Sequence, residues 1–294
     1  MKILEAKYPK GTLPKQKTDG RYVDGYLYSN LEVLGKAIVK NNTFITVISS
    51  STLEVGTGKS CFAQQVGEAW GNVMKKTHDI DLGFDINNIV FRPSKLIERS
   101  FEVPKYSCII LDEWEDAHYW SELGMTLRQF FRKCRQLNLF MILIIPNFFE
   151  MPKTYAISRS VAFIDVRFED NFERGFFSFY GFKKKCTLYL EGKKKYNYGV
   201  VKPDFYGRFN DGYVVGEKIY LEAKRKDAEQ TDLDKKKGTS EREIKIKLFK
   251  QLHQNLPKVS VKDLSNAFGL SRSTGFSWLK EDSKDIEGGV SCPV

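Results

Sequence analysis

The sequence predicts an α/β fold: a mostly parallel sheet with helices on both faces, followed by a small all-helical unit. Short apolar and β-branched runs at 43–49, 88–91, 106–111, 139–145 and 161–168 alternate with longer stretches whose apolar residues recur at helical spacing. Most of these runs are apolar throughout instead of alternating with polar residues, which marks strands buried on both faces of a parallel sheet. Near residue 223 the texture changes, first to a polar stretch and then to a compact helical segment.

Residues 1–20, rich in Lys and Gly with two prolines, read as an N-terminal arm. Residues 31–40 form a helix with Asn30 as its cap. The strand at 43–49 leads into Gly56-Thr57-Gly58-Lys59-Ser60, after which Phe62, Val66, Ala69, Trp70 and Val73 mark an amphipathic helix. A helix at 94–99 separates the strands at 88–91 and 106–111. Residues 114–137 are mostly helical, broken near Gly124, with Leu127, Phe130, Phe131 and Cys134 as the apolar stripe. Strands at 139–145 and 161–168 follow. From about residue 175, Lys- and aromatic-rich strands around Gly192 predict an antiparallel β-hairpin extension.

The expected plan is thus an arm (1–20), an α/β domain (21–222), a polar linker or exposed helix (223–243), a helical domain (244–281) and a tail (282–294). Within 224–243 only Ala228 and Leu233 are apolar, so this stretch adds little to a core and is expected to leave the helical domain free to separate.

Hydrophobic residues at 41% and charged residues at 29% are ordinary for a globular protein. The net charge of +10 favours polyanionic partners, nucleic acid or an anionic surface. The N-terminus is charged where a signal peptide needs an apolar core, and the longest apolar run, 139–145, is too short to cross a bilayer. A soluble, cytoplasmic chain with no membrane span is therefore expected. Cys61, Cys108, Cys134, Cys186 and Cys292 show no C-x-x-C spacing and the three histidines are isolated, which argues against a zinc site or a disulfide framework.

The chemistry concentrates at Gly56–Ser60, between a buried strand and an amphipathic helix. Glycines there let backbone N–H groups turn toward phosphate oxygens, and the helix start adds partial positive charge. Lys59 is placed to pair with the β- and γ-phosphates of ATP, and the Ser60 hydroxyl to ligate Mg²⁺. The full phosphate-loop pattern has a glycine five residues before Gly58; here that residue is Leu53. Downstream, the strand at 108–111 ends in Asp112-Glu113. Asp112 is expected to hold the magnesium shell, and Glu113 to orient or deprotonate the attacking water.

These residues resemble the P-loop ATPases of the catalytic-glutamate class, whose RecA/ASCE-like sheet has an additional strand between the phosphate-loop strand and the acidic strand. That strand ends in a polar sensor; 139–145 followed by Pro146-Asn147 fits, with Asn147 where a glutamine is usual. The stretch Leu127-Arg128-Gln129-Phe130-Phe131-Arg132-Lys133-Cys134-Arg135 and the stretch Ile157-Ser158-Arg159-Ser160-Val161-Ala162-Phe163-Ile164-Asp165-Val166 are similar to the FtsK/HerA superfamily of DNA-pumping ATPases, which includes zonula-occludens-toxin-like proteins. The resemblance spans roughly residues 40–170. It implies a homo-oligomer, a hexameric ring, in which an arginine reaches the neighbour's ATP. Arg132 and Arg135 are the candidates, sharing a helix face with Arg128; Arg159 is a rival.

Residues 260–280 read as two short helices about a turn at Gly269, with Leu264, Phe268, Leu270 and Trp278 as their core and a helix at 245–254 completing a bundle. This resembles a helix-turn-helix, which implies DNA contacts from Ser271, Arg272, Ser273 and Thr274. Lys183, Lys184 and Lys185, with Lys193, Lys194 and Lys195, form a second basic cluster interleaved with aromatics, suited to a nucleic-acid backbone. The function expected is an ATP-hydrolysing DNA motor of the translocase or genome-packaging type. The alternative is an ATP-dependent DNA-binding switch such as a replication initiator, helicase loader or regulator.

Overall fold

The computed structural model describes residues 2–4, 22–52, 56–112, 114, 122–168, 174–210, 212–236, 241–257 and 259–280. Its first half runs β1 (Lys2–Leu4), β2 (Tyr22–Asp24), α1 (Gly25–Ile38), β3 (Phe44–Ser49), α2 (Lys59–His78), β4 (Ile89–Val90), α3 (Pro93–Glu102), β5 (Cys108–Leu111), α4 (Glu122–Lys133) and β6 (Phe140–Ile144). The second half runs β7 (Ser160–Arg167), β8 (Phe176–Gly181), α5 (Phe182–Thr187), α6 (Lys193–Lys195), β9 (Phe205–Arg208), α7 (Glu217–Lys236), α8 (Glu241–Asn255), α9 (Val261–Ala267) and α10 (Arg272–Lys280).

Seven strands form one sheet in the order β4-β5-β6-β3-β7-β8-β9. From β4 to β7 every pairing is parallel; β8 and β9 add antiparallel strands at one edge. Alternate residues of the apolar strands enter two different cores, which is why these strands contain so few polar residues. Ile48, Ile110, Ile142 and Ile164 pack under α1 and α2. Val47, Ile109, Leu143 and Phe163 pack under α3, α4 and the segments after β6.

Several elements differ from the sequence expectation. Helix α1 starts six residues before Leu31 and is capped by Asp24, whose carboxylate accepts from Tyr26 N at 2.9 Å and Leu27 N at 3.1 Å. Asn30 lies inside the helix, where its amide donates to Tyr26 O at 2.8 Å. Helix α4 runs unbroken through Gly124. The expected hairpin around Gly192 is helical instead: α5, a π-helical turn (Leu188–Gly192) and α6 connect β8 to β9. Lys185, Leu188, Tyr189 and Gly192 are the buried positions, spaced i, i+3, i+4 and i+7, so a lysine sits on the apolar stripe. Of the expected arm, only β1 is described, paired parallel to β2; the tail 282–294 lies outside the described residues.

The polar stretch after 223 continues helix α7, which begins at Glu217 and is mostly exposed over residues 217–230. Helices α8, α9 and α10 pack about Phe249, Phe268 and Trp278, whose rings meet edge-on at 5.1 and 5.8 Å. Gly269 takes φ +67°, the left-handed conformation that closes α9, while Leu270 N donates to Ser265 O at 2.9 Å. This unit does not stand apart. Leu252, Leu256 and Phe268 share one core with Phe130 of α4 and Phe101 of α3, and Lys247 Nζ lies 3.6 Å from Glu98 Oε1. Apolar contact made by α8 and α9 overrides the polar linker.

Asp24 gives a pH prediction. Its side chain is 1% exposed, and burial pushes its carboxyl up to about 6. The folded state therefore keeps its proton to higher pH than the unfolded state, whose value is near 4. Stability must fall as pH rises through that window, by about 2 kcal/mol. Asp24→Asn, which keeps an acceptor for the two N–H groups, should flatten this part of the curve and raise stability at pH 7. Chemical denaturation at pH 4.5 and 7 reads the difference.

Candidate functional site

The C-terminal ends of the parallel strands place the sequence-predicted groups at one edge of the sheet, where open α/β sheets bind ligands. β3 ends at Ser49 and the chain then reaches Gly56 and Gly58, with φ of +84° and +93°. Only residues without a Cβ adopt such angles freely, so the tight approach to α2 depends on both glycines. Gly58 is the N-cap of α2 and offers no capping side chain, so the first N–H groups of the helix face the loop. Thr57 is 1% exposed and its Oγ1 has no hydrogen-bond partner among the described residues. An orphaned hydroxyl inside a glycine loop fits a cradle that receives acceptor oxygens. Leu53 and the rest of 53–55 lie outside the described residues.

The strand pairings fix the spacing of the two halves. β6 pairs with β3 on one side and β5 on the other, and Asp112 N donates to Val90 O at 2.8 Å to hold the end of β5. Asp112 is 2% exposed. Its carboxylate accepts from the Tyr220 hydroxyl, with the Ser60 hydroxyl close to the same phenol. The Ser60 hydroxyl and the Asp112 carboxylate thus face the same phenol, two oxygen groups of the kind that suit a hard divalent cation. Glu113, the expected base, lies outside the described residues.

Four features of the edge were not read from the sequence. Asp165, at the position opposite Ser49, accepts from Ser51 N at 2.7 Å and Ser51 Oγ at 2.9 Å, tying the start of the loop to β7. Burial raises its carboxyl, against the opposing effects of Arg167, the Ser51 bonds and Lys59. Phe209 closes on Gly58, 3.1 Å from where a Cβ would stand, and the exposed Arg174 brings Nη2 to 3.3 Å from that position on Gly56. Tyr220 arrives from α7, more than a hundred residues from Asp112. A single acid in the apolar run 161–168 was the one available signal, for Asp165.

Other predicted residues are placed elsewhere. Asn147 sits just past β6 but is 3% exposed, with its amide fully bonded to its own turn and to the segment after α6. Its Oδ1 accepts from Phe149 N and Tyr198 Oη, each at 3.0 Å, and its Nδ2 donates to Glu150 Oε1 at 2.8 Å and to Tyr196. The amide as placed holds that turn and is not presented to a phosphate. Arg132 is exposed near the end of α4, and Arg135 lies in the following 3₁₀ turn, where Nε donates to Asn41 O at 2.7 Å. Asn41 precedes β3, so Arg135 is at the sheet edge opposite Gly56 and does not reach this chain's own loop. Arg159, half-buried, follows the segment after β6.

The basic cluster is divided by the helical fold of 182–195. Lys185 is buried, with Nζ donating to Ile157 O at 3.1 Å, Ser160 Oγ at 3.0 Å and Ser160 O; burial lowers its pKa to about 8. It is removed from any nucleic-acid surface. Lys184 is held by Asp204 at 2.9 Å and Pro203 O at 3.0 Å. Lys183, Lys193, Lys194 and Lys195 are exposed, Lys194 against Glu191 at 3.0 Å. At the start of α10, Ser271 Oγ meets Ser273 Oγ at 2.7 Å and Thr274 Oγ1 at 2.8 Å, and the exposed Arg272 lies 5.6 Å from the Phe276 ring.

Among the described residues the four cysteines are unbridged, no group of three His, Cys, Asp or Glu side chains gathers, and no helix is long and apolar enough to cross a membrane. Compared with known proteins, the chain matches no protein-family model, no curated protein and no solved structure.

Proposed function

We propose that the chain binds ATP with magnesium at Gly56–Ser60 and Asp112, and couples hydrolysis to work on DNA as a translocase or packaging-type motor. The observation that carries the reading is the place of β6 between the strand leading to the glycine loop and the strand ending in Asp112. That insertion sets the loop and carboxylate one strand apart, at the spacing the P-loop ATPases resembled by this sequence require. Lys59 pairs with the β- and γ-phosphates, and the first N–H groups of α2 receive phosphate oxygens. Ser60 and Asp112 would hold the magnesium, which when bound neutralises phosphate charge. Glu113, next in sequence to Asp112, takes the proton of the attacking water. Arg174 adds a cation over the loop from the same chain.

The exposed Arg132 stands on the far edge of the sheet, so any part it plays in hydrolysis is at a neighbour's site. A ring follows from that role, and native mass of the full chain with ATP and long duplex DNA tests it. Ring formation with displacement of a bound roadblock supports the motor. A monomer whose DNA affinity merely follows nucleotide state supports the switch. One observation favours the switch as second reading: α8 and α9 share a core with α3 and α4, so the helical unit is joined to the sheet that carries the site.

In either case the start of α10 is the DNA contact. Arg272→Ala should weaken duplex binding by about 1–3 kcal/mol at a preferred site, and by less if Arg272 meets phosphate alone. Titration of the full chain at two salt concentrations measures it. An unchanged affinity and salt slope would move the contact to Lys183 and Lys193–Lys195.

A further inference from the structure

We propose that the Tyr220 hydroxyl occupies the divalent-cation position between Ser60 and Asp112, and that α7 is a strap that metal–nucleotide binding must lift. The inference rests on the nucleotide reading of this site. The phenol donates to the Asp112 carboxylate and lies close to the Ser60 hydroxyl, so it stands between the two groups assigned to the metal. A hydrogen-bonded oxygen stands about 2.7 Å from each partner, whereas magnesium requires its oxygens at about 2.0–2.1 Å. Both cannot lie between the same two oxygens.

Among residues 217–230 of α7, Tyr220 is the one buried side chain. Its ring stacks on Tyr213 at 4.9 Å and tilts against Phe91 at 5.8 Å. Arg92 Nε meets Asp227 Oδ1 at 3.0 Å, two turns further along. Ile219 and Leu221 on either side are 54% and 51% exposed. Gly216, at φ +84°, precedes the helix and supplies a backbone position able to absorb a change in its angle. One buried side chain over residues 217–230 and a glycine at the base describe an element that opens at low free energy.

The test is Tyr220→Phe in the full chain, which keeps the ring packing and deletes one hydroxyl. Calorimetric titration with ATP is run in Mg²⁺ and again in EDTA. The variant should bind Mg²⁺–ATP about tenfold more tightly than wild type, because the free state no longer has that charge-assisted bond to lose. Its affinity in EDTA should be unchanged. Tryptic cleavage within α7 should be faster in the variant without ligand, and in wild type only once Mg²⁺–ATP is added. Equal or weaker Mg²⁺–ATP binding by a variant that melts like wild type overturns the proposal. If wild type binds no ATP in either condition, the nucleotide reading itself falls, and this inference with it.

Discussion

Lys59→Ala should weaken ATP binding by about thirtyfold or more, since removing one member of a buried, hydrogen-bonded charge pair typically costs about 2–5 kcal/mol. The residue opens α2, directly after the left-handed Gly58, and its ammonium is close enough to influence Asp165. No other cation is set at the start of that helix among the described residues; Arg174 approaches the loop at Gly56 and from solvent. Alanine is a good helix former and disturbs neither glycine, so the fold should survive. Equilibrium titration with a labelled nucleotide, alongside a melting curve, separates lost binding from lost structure.

Trp70→Ala should be the most damaging single truncation in the sheet's second core, lowering stability by about 3–5 kcal/mol and the melting midpoint by about 10 °C. Trp70 is fully buried on α2, stacked on Phe140 of β6 with ring centres 4.6 Å apart. Its indole Nε1 donates to Tyr106 O at 2.6 Å, holding a residue that adopts φ +72°. Trp70→Phe keeps the stack and loses the bond, so it should cost about 1–2 kcal/mol. Because α2 carries the glycine loop at its other end, the alanine variant should also lose nucleotide affinity before it unfolds globally. Denaturant unfolding followed by circular dichroism, at matched temperature, gives both values.

The parts of this molecule that were legible in the sequence are those set by local patterning. Apolar strands, the amphipathic spacing of α2, the glycine loop and the acid ending β5 are all written within a few residues of each other, and the turn at Gly269 is signalled by one glycine. Errors arose where a distant contact decides. Asp24 displaces Asn30 as the cap because the chain before Leu31 is already helical and packs Leu27 and Tyr28 into the core. Lys185 hid a helical stripe, since a lysine in a buried position disguises the period until Ile157 and Ser160 are seen to satisfy it. The polar stretch after 223 gave no sign that α8 and α9 would seat on α3 and α4. Tyr220 reaches Asp112 and Arg174 reaches the glycine loop from outside the motifs, and no spacing rule connects them to these groups.

The measurement that bears most directly on the central claim is phosphate release from ATP by the purified chain, in Mg²⁺, with and without long duplex DNA. Turnover should be present, should rise several-fold with DNA, and should vanish in both Lys59→Ala and Glu113→Gln, the latter while still binding ATP. Absence of turnover in wild type, or equal turnover in wild type and Lys59→Ala, would contradict the assignment of this edge as an ATP-hydrolysing site.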